Sequence, residues 1–313
     1  MLTTATEVDR APVRRDRRLR AGARGHEAIS GLALSLPAFV LIVVLILLPV
    51  CAVLAIAFTD WKFGARTIEF VAFENFREMM GDATFRASLF NTVVYVAVTV
   101  PFTIVLGLGI AILIESGQSF RAFYRACHFL PVMATLAAMA IAWEALLHPT
   151  IGLINQLLSE IGISGANWLR DRSLVLPTLM AIGIWQNVGL AMVLFLAGLK
   201  AIPQDLYDAA DIDGADGWYD RLRTVTLPML GPVMMFVMVI MALRAFEVFD
   251  TVRVLTHGGP GHASEMLLHT LYVESFEFLR TGYGAAVTIV FLAIVLTITL
   301  VQMKIVEKRV HYS

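Results

Sequence analysis

Most of the chain is apolar, so the side chains able to do chemistry stand out. Trp185, Gln186 and Asn187 follow one another inside the apolar run at 174–199. Arg244, Glu247 and Asp250 interrupt the run at 225–249, and Asn91 and Glu144 are lesser interruptions. Polar groups inside a membrane helix are costly and ask for a reason. Amide and charged partners for hydroxyls, beside an aromatic plane for an apolar ring face, are what a sugar-like solute needs. Trp185 with Gln186 and Asn187 offers that set. Each candidate also has a plain structural explanation. Gln186 and Asn187 can bond helix to helix, worth about 0.6–2 kcal/mol. Arg244 and Glu247, three apart, can neutralise each other across one helical face. Trp143 and Glu144 are read as packing residues.

The elements that must position these groups follow from composition. Only 16% of the 313 residues are charged and the mean hydropathy is +0.76, too apolar for an ordinary soluble domain. Six runs are long enough to cross about 30 Å of hydrocarbon, near 32–58, 88–114, 129–148, 174–199, 225–249 and 284–306. Pro37, Pro49, Pro101 and Pro131 are tolerable kinks, since neighbouring helices satisfy the freed carbonyls. Gly107, Gly109 and Ala111 suit close helix packing. Residues 1–30 carry seven arginines and are read as a disordered basic cytoplasmic tail. The run that follows is too long for a cleaved signal peptide, so it is taken as a first span. Basic residues are in excess on the side holding the tail, which puts both termini in the cytoplasm. Residues 149–173 are expected to make a short amphipathic piece at the membrane surface. Asp250 and Arg253 are expected to be solvated at the outer edge.

The two cysteines, Cys51 and Cys127, fall in separate runs, so neither a disulfide nor a metal site is expected. No Gly-x-x-x-x-Gly-Lys-Ser/Thr phosphate loop occurs, so the chain lacks the usual device for binding ATP. Nothing in the sequence suggests a nucleic-acid partner.

One polar island, 203–228, lies between the fourth and fifth runs. Pro203, Gln204 and Asp205 suit the first turn of a helix. Asp213-Gly214 suits its end, because Gly takes the left-handed conformation readily. Asp216 can cap a second helix exposing Tyr219, Asp220 and Arg223. Helix, glycine turn, helix makes a compact knob, placed in the cytoplasm by the charge distribution.

Asp208-Ala209-Ala210, Asp213-Gly214-Ala215 and Leu227-Pro228 stand at the spacing of the cytoplasmic "EAA" loop, so the chain resembles permease subunits of binding-protein-dependent ABC importers. It departs from that pattern once, with Asp208 where Glu is usual. Leu255-Thr256-His257-Gly258-Gly259-Pro260 is similar to a segment of the carbohydrate-uptake branch, as are Asn91-Thr92, Tyr283-Gly284-Ala285-Ala286 and Phe73-Glu74-Asn75-Phe76. The last also reads as an interfacial aromatic belt. The ending 301–310 looks more like permeases for glycerol 3-phosphate and related glycosides than like the maltose type.

The resemblance implies an all-α fold, a type I importer transmembrane domain of six helices over 31–313, in the bacterial inner membrane. It implies that Asp208, Ala209, Ala210, Asp213, Gly214 and Ala215 dock an ATPase. The implied partners are a second homologous permease, two ABC ATPase subunits that bind the ATP and Mg, an extracytoplasmic solute-binding protein, and membrane lipid. The implied solute is a sugar or sugar-like compound. By register, substrate-contacting positions of maltose-type relatives fall on Gly183, Gln186, Asn187 and Leu190, and on Met241, Ala245 and Val248. The last three are apolar here, so Arg244, one turn from Val248, is the candidate to replace their contacts. An intramembrane enzyme acting on a lipid or glycan, or a channel, is the alternative. The first would need a nucleophile–base pair or metal cluster in the spans, the second a charged ring or filter-like repeat, and the sequence displays neither.

Overall fold

The computed structural model describes residues 34–117, 119–215 and 217–307, so the arginine-rich tail, Asp216 with its expected cap, and the last six residues lie outside the described residues. The chain divides into two units between Val53 and Leu54. The first supplies most of α1, Leu34–Ile56, which carries a π-helical turn at Val43–Leu47.

Among the described residues of the second unit the regular elements are helices, apart from one isolated bridge between Thr59 and Phe70. Asn75 is buried in the short helix α2 (Glu74–Gly81), and its amide donates 2.8 Å bonds to the carbonyls of Ala57 and Thr59. It therefore satisfies carbonyls left open where the chain leaves α1. Phe58, Phe73 and Phe76 cluster beside it, with ring centroids 5.4–5.9 Å apart. The Phe73–Phe76 stretch is thus a specific fastening as well as an aromatic cluster.

The long helix α3 (Ala83–Ser116) starts where Asp82 Oδ1 accepts from the Thr84 N–H at 2.8 Å, and it continues through Pro101. It starts five residues before its expected edge. It packs mainly against α7 (Val175–Lys200), and Gly107 allows the approach: a Cβ there would lie 2.7 Å from the Ala191 Cβ. Gly109, expected to serve the same purpose, faces open space.

The third expected span, 129–148, is not one straight helix. The chain forms α4 (Arg121–Met133) and α5 (Leu136–Leu146), and the pair bends by 104° between Met133 and Ala138. Pro131 sits near the end of α4, and Ala134 and Thr135 are extended, which is where the ladder fails. Among the described residues, five helices are long and apolar enough to cross a membrane, or six if this bent pair counts as one. The amphipathic α6 (Leu153–Glu160) follows, held by buried Asn155, which bonds Trp168 Nε1 and the backbone of Pro149 and Ala166.

Beyond α7 comes α8 (Gln204–Ile212), then α9 (Trp218–Arg221), which runs through a π turn (Leu222–Thr226) into Leu227–Met229. The fifth span, α10 (Gly231–Phe246), is separated from that piece by Leu230 and followed by α11 (Asp250–Leu255). A loop leads to α12 (Leu267–Tyr272), a π turn (Val273–Glu277) and α13 (Thr281–Glu307). The core lies where α3, α7 and α10 meet, around Phe195, Met192, Val237 and Met241.

Candidate functional site

Two regions carry the expected site residues. The first is the crossing of α3, α7 and α10. Gly183 and Asn187 of α7 and Met241 and Ala245 of α10 line a common cleft there. Its other wall was not foreseen: Tyr95, Thr99, Val100 and Thr103 of α3. Tyr95, Thr99 and Thr103 recur every four residues in an otherwise apolar run, a one-face polar stripe visible in the sequence. Thr99 returns its hydroxyl to the Tyr95 carbonyl at 2.7 Å, and the Asn187 amide donates to the Gly183 carbonyl at 2.9 Å. Gly183 is required by close approach, since a Cβ there would lie 2.0 Å from Tyr95 Oη. The cleft leaves about 10 Å³. One water needs ~10–15 Å³, so no sugar ring fits within it.

The remaining candidates point elsewhere. Trp185 stands edge-on to Trp143, ring centroids 5.3 Å apart, which places Trp143 in packing as expected. Gln186 is half-buried, Leu190 packs beside the core, and Val248 is buried within it. Arg244, in the last turn of α10, and Glu247, at its C-cap, are both exposed, whereas Met241 and Ala245 are buried. Among the described residues they form no ion pair with each other or with any third group. Glu247 already lies past the last turn of α10, so the alternative same-face pairing with Arg244 does not form. Arg253, expected to be merely solvated, is instead paired with Glu277 at 2.5 Å and lies over the Tyr272 ring at 5.3 Å.

The second region is the knob. α8 ends in a complete glycine cap. Gly214 has φ +89°, its N–H bonds to the Asp211 carbonyl at 3.1 Å, and the Ala215 N–H reaches the Ala210 carbonyl at 2.9 Å. This 6→1 and 5→2 pair is the Schellman arrangement, and the left-handed residue it needs is the glycine. Asp208, Ala209, Asp213 and Gly214 are exposed, with Ala210 and Ala215 half-buried. Arg221 clasps Asp211 across the turn: Nη2 donates to Oδ2 at 2.8 Å, while Nε lies 2.7 Å from Oδ1 as an electrostatic contact. Both side chains are more than a third exposed, so the pair contributes at most about 1 kcal/mol. Tyr207 and Thr226 share a 3.1 Å hydroxyl bond that ties α8 to the π turn. Ile212, Trp218 and Tyr219 stand out from the surface at 87%, 73% and 58% exposure, an apolar rim unusual for a solvated loop.

The chain matches, over residues 83–312, the model of the family described as binding-protein-dependent transport system inner membrane component. It is similar to the trehalose/maltose transport system permease protein MalF of Thermococcus litoralis, 32% identical over 290 residues, covering 93% of this chain and 98% of that protein. It is also 32% identical over 247 residues to the sn-glycerol-3-phosphate transport system permease protein UgpA of Agrobacterium fabrum, covering 78% of this chain and 83% of that one. The sulfoquinovosyl glycerol permease protein SmoG of the same organism is 29% identical over 274 residues, covering 87% of this chain and 89% of that protein. Among solved structures, a chain of a bacterial ABC transporter that imports the acidic polysaccharide alginate superposes with a TM-score of 0.79. The alignment covers 93% of this chain and 99% of that one, at 20% identity, a likeness of fold.

Proposed function

Because the chain belongs to the family of binding-protein-dependent transport system inner membrane components, we propose that it is the permease subunit of an ATP-driven importer for a sugar or sugar-like solute. A second, homologous permease completes the path, and an extracytoplasmic solute-binding protein delivers the solute. Two ATPase subunits, which hold the ATP and Mg, dock at the knob formed by Asp208–Ala210 and Asp213–Ala215. Both termini and the knob face the cytoplasm. The similarity to permeases named for trehalose/maltose, sulfoquinovosyl glycerol and sn-glycerol 3-phosphate supports the solute class.

One observation carries the placement of the path. Arg244 and Glu247 are exposed on a helix otherwise apolar enough to span a membrane, and neither has a charged partner among the described residues. An arginine facing lipid within a span costs up to about 2.5–3.5 kcal/mol on insertion scales, so this face is one to meet water, solute or a second subunit. The inward cleft at Gly183 and Asn187 is too small for a sugar. The solute therefore moves along the exposed face of α10, with Trp185 and Gln186 contributing from α7.

Uptake assays on Arg244→Gln, Glu247→Gln and the double variant, normalised to assembled complex, test this. The expected result is a strong loss of uptake in Arg244→Gln with ATP hydrolysis retained, and no rescue by Glu247→Gln. Loss of assembly in the single variant, relieved in the double, would instead make the two residues structural partners. Normal uptake by Arg244→Gln, Gln186→Ala and Asn187→Ala alike would move the site to the other permease.

A further inference from the structure

A second cavity, of about 470 Å³, lies at the opposite end of the fold from the knob, under the loop that joins α11 to α12. Its size falls within the ~300–1,000 Å³ typical of small-molecule sites. The loop is unusually constrained. His257 and His262 have φ of +50° and +64°, and they flank Gly258 and Gly261, with φ of +79° and +55°. Left-handed backbone at a non-glycine residue persists only where surrounding contacts hold it, and such residues concentrate at functional sites. The contacts here are specific. The Asn91 amide of α3 donates to the carbonyls of His262 and Glu265 at 2.9 and 3.0 Å. Ser264 donates to the Gly259 carbonyl at 2.6 Å and lies 2.8 Å from the Thr256 hydroxyl.

The charged groups of the wall are engaged. Arg253 pairs with Glu277, and Arg280, outside the cavity, pairs with Glu274 at 3.2 Å and also with Glu78. Buried Glu265 is held by His269 Nδ1 at 2.7 Å and by the Thr270 hydroxyl at 2.9 Å. What remains is hydrogen-bonding capacity. His257 and His262 both line the cavity, both are exposed, and neither side chain has a partner among the described residues. No three His, Cys, Asp or Glu side chains among the described residues are placed to hold a metal ion.

We propose that this cavity is a second solute subsite, which takes a neutral, polyhydroxylated ligand of one or two sugar rings, its hydroxyls bonded by the imidazoles of His257 and His262. An anion would find the arginine already neutralised, and a cation would find every carboxylate engaged. A pre-set loop suits such a ligand, since little ordering remains to be done on binding. The assignment rests on the function proposed above for the solute class and for which end faces outward. There the subsite would receive solute before it enters the membrane.

The test is a titration of the full-length chain in lipid nanodiscs, ¹⁵N-labelled at histidine, with maltose, trehalose and glycerol 3-phosphate as probes. Single variants His257→Asn and His262→Asn assign the two imidazole resonances. The expected result is a saturable shift of both with at least one neutral disaccharide, retained in Arg244→Gln and Asn187→Ala. Equilibrium dialysis with the same radiolabelled sugar should show at least a tenfold weaker affinity in the double variant His257→Asn/His262→Asn. Thr84→Val, on the cavity wall, keeps both reporter imidazoles and should also weaken binding. No shift with either disaccharide would overturn the proposal, as would a response to glycerol 3-phosphate alone. A response only to an added solute-binding protein would make the loop a protein-docking surface and overturn it equally. Because the readout is binding at these imidazoles, it stands whether or not the uptake assays support the path along α10.

Discussion

Gly183→Ala is the sharpest probe of the cleft between α3 and α7. The added Cβ would lie 2.0 Å from Tyr95 Oη and 3.1 Å from Cζ. Optimal separation of such atoms is about 3.5 Å, so the hydroxyl must retreat by ~1.5 Å. Tyr95 is buried at 4% exposure within the main core, so it has little room to do so. Overpacking of this kind costs about 1–3 kcal/mol. At about 2–4 °C per kcal/mol, the melting temperature in nanodiscs should fall by roughly 2–12 °C. The offending atom is a hydroxyl, so Tyr95→Phe in the same chain should restore most of the loss, leaving only a tight contact with the ring. Gly109→Ala, whose Cβ meets nothing within 4 Å, serves as the control and should not lower the melting temperature. Scanning fluorimetry on the four proteins decides the matter. A Gly183→Ala chain as stable as wild type, or a destabilised one that Tyr95→Phe does not relieve, would refute the packing described here.

Three further outcomes are expected. Gly214→Val places a β-branched residue at φ +89° and removes the cap of α8 at a local cost of at least about 1–2 kcal/mol. It should leave the chain in the membrane but lower uptake per ATP hydrolysed; unchanged coupling in an assembled variant would sink the docking role of the knob. A reporter active only in the cytoplasm should work near Gly217 and fail near Asn75 and His262; activity at His262 would show that the fifth span does not cross. Glu274 is buried beside Arg280, and burial outweighs that arginine to raise its carboxyl above the ordinary 4.5. A carboxyl raised on folding binds more protons in the folded state, so it penalises stability as pH rises above 4.5 through its folded value. Glu274→Gln should flatten the fall in melting temperature across that window, and an unchanged slope would remove Glu274 as its source.

Much of the helical layout was legible because span length and hydropathy report directly on the need to cross hydrocarbon. The fourth span matched its expected edges to one residue, and the glycine turn of the knob followed from local backbone chemistry. The third span did not: Pro131 was read as a tolerable kink, whereas the chain leaves the helix altogether at Ala134 and Thr135. Hydropathy cannot tell a continuous apolar helix from two that meet at a sharp angle. At the cleft, the carry-over by register found Gly183, Asn187, Met241 and Ala245, but not Tyr95, Thr99 and Thr103. Those three belong to no motif, although Asn91-Thr92 on the same helix does, and their convergence depends on how α3 crosses α7. The pairing of Glu265 with His269 was missed for a different reason. Both residues belong to a loop and a short helix, where spacing alone predicts no shared face until the backbone is fixed.

How movement at the knob reaches the cleft follows from the glycines of α7. A Cβ at Gly198 would lie 2.8 Å from Leu230 and 2.9 Å from Val233, at the start of α10. One at Gly189 would lie 1.9 Å from the His128 carbonyl oxygen of α4, and one at Gly183 meets Tyr95 of α3. At three heights, then, α7 approaches three different helices with no side chain of its own between. At Gly183 and Gly198 the facing atoms are side chains, whereas at Gly189 both sides are backbone and no change of rotamer can absorb the contact. The end of α7 at Lys200 is joined to α8 by three residues, and α8 is tied to the π turn before α10 by Tyr207 and Thr226. A displacement of the knob would therefore be passed to α7 and α10 together, and along α7 to the wall carrying Asn187. Gly189→Ala should break this chain of contacts in the middle, because the opposing atom is a backbone oxygen that cannot step aside. It should separate α4 from α7 and reduce stability and uptake together, and trimming side chains on α4 should not rescue it. Rescue by Phe129→Ala, the neighbouring side chain on α4, would show that the approach is made by side chains and that α7 does not act as a rigid strut.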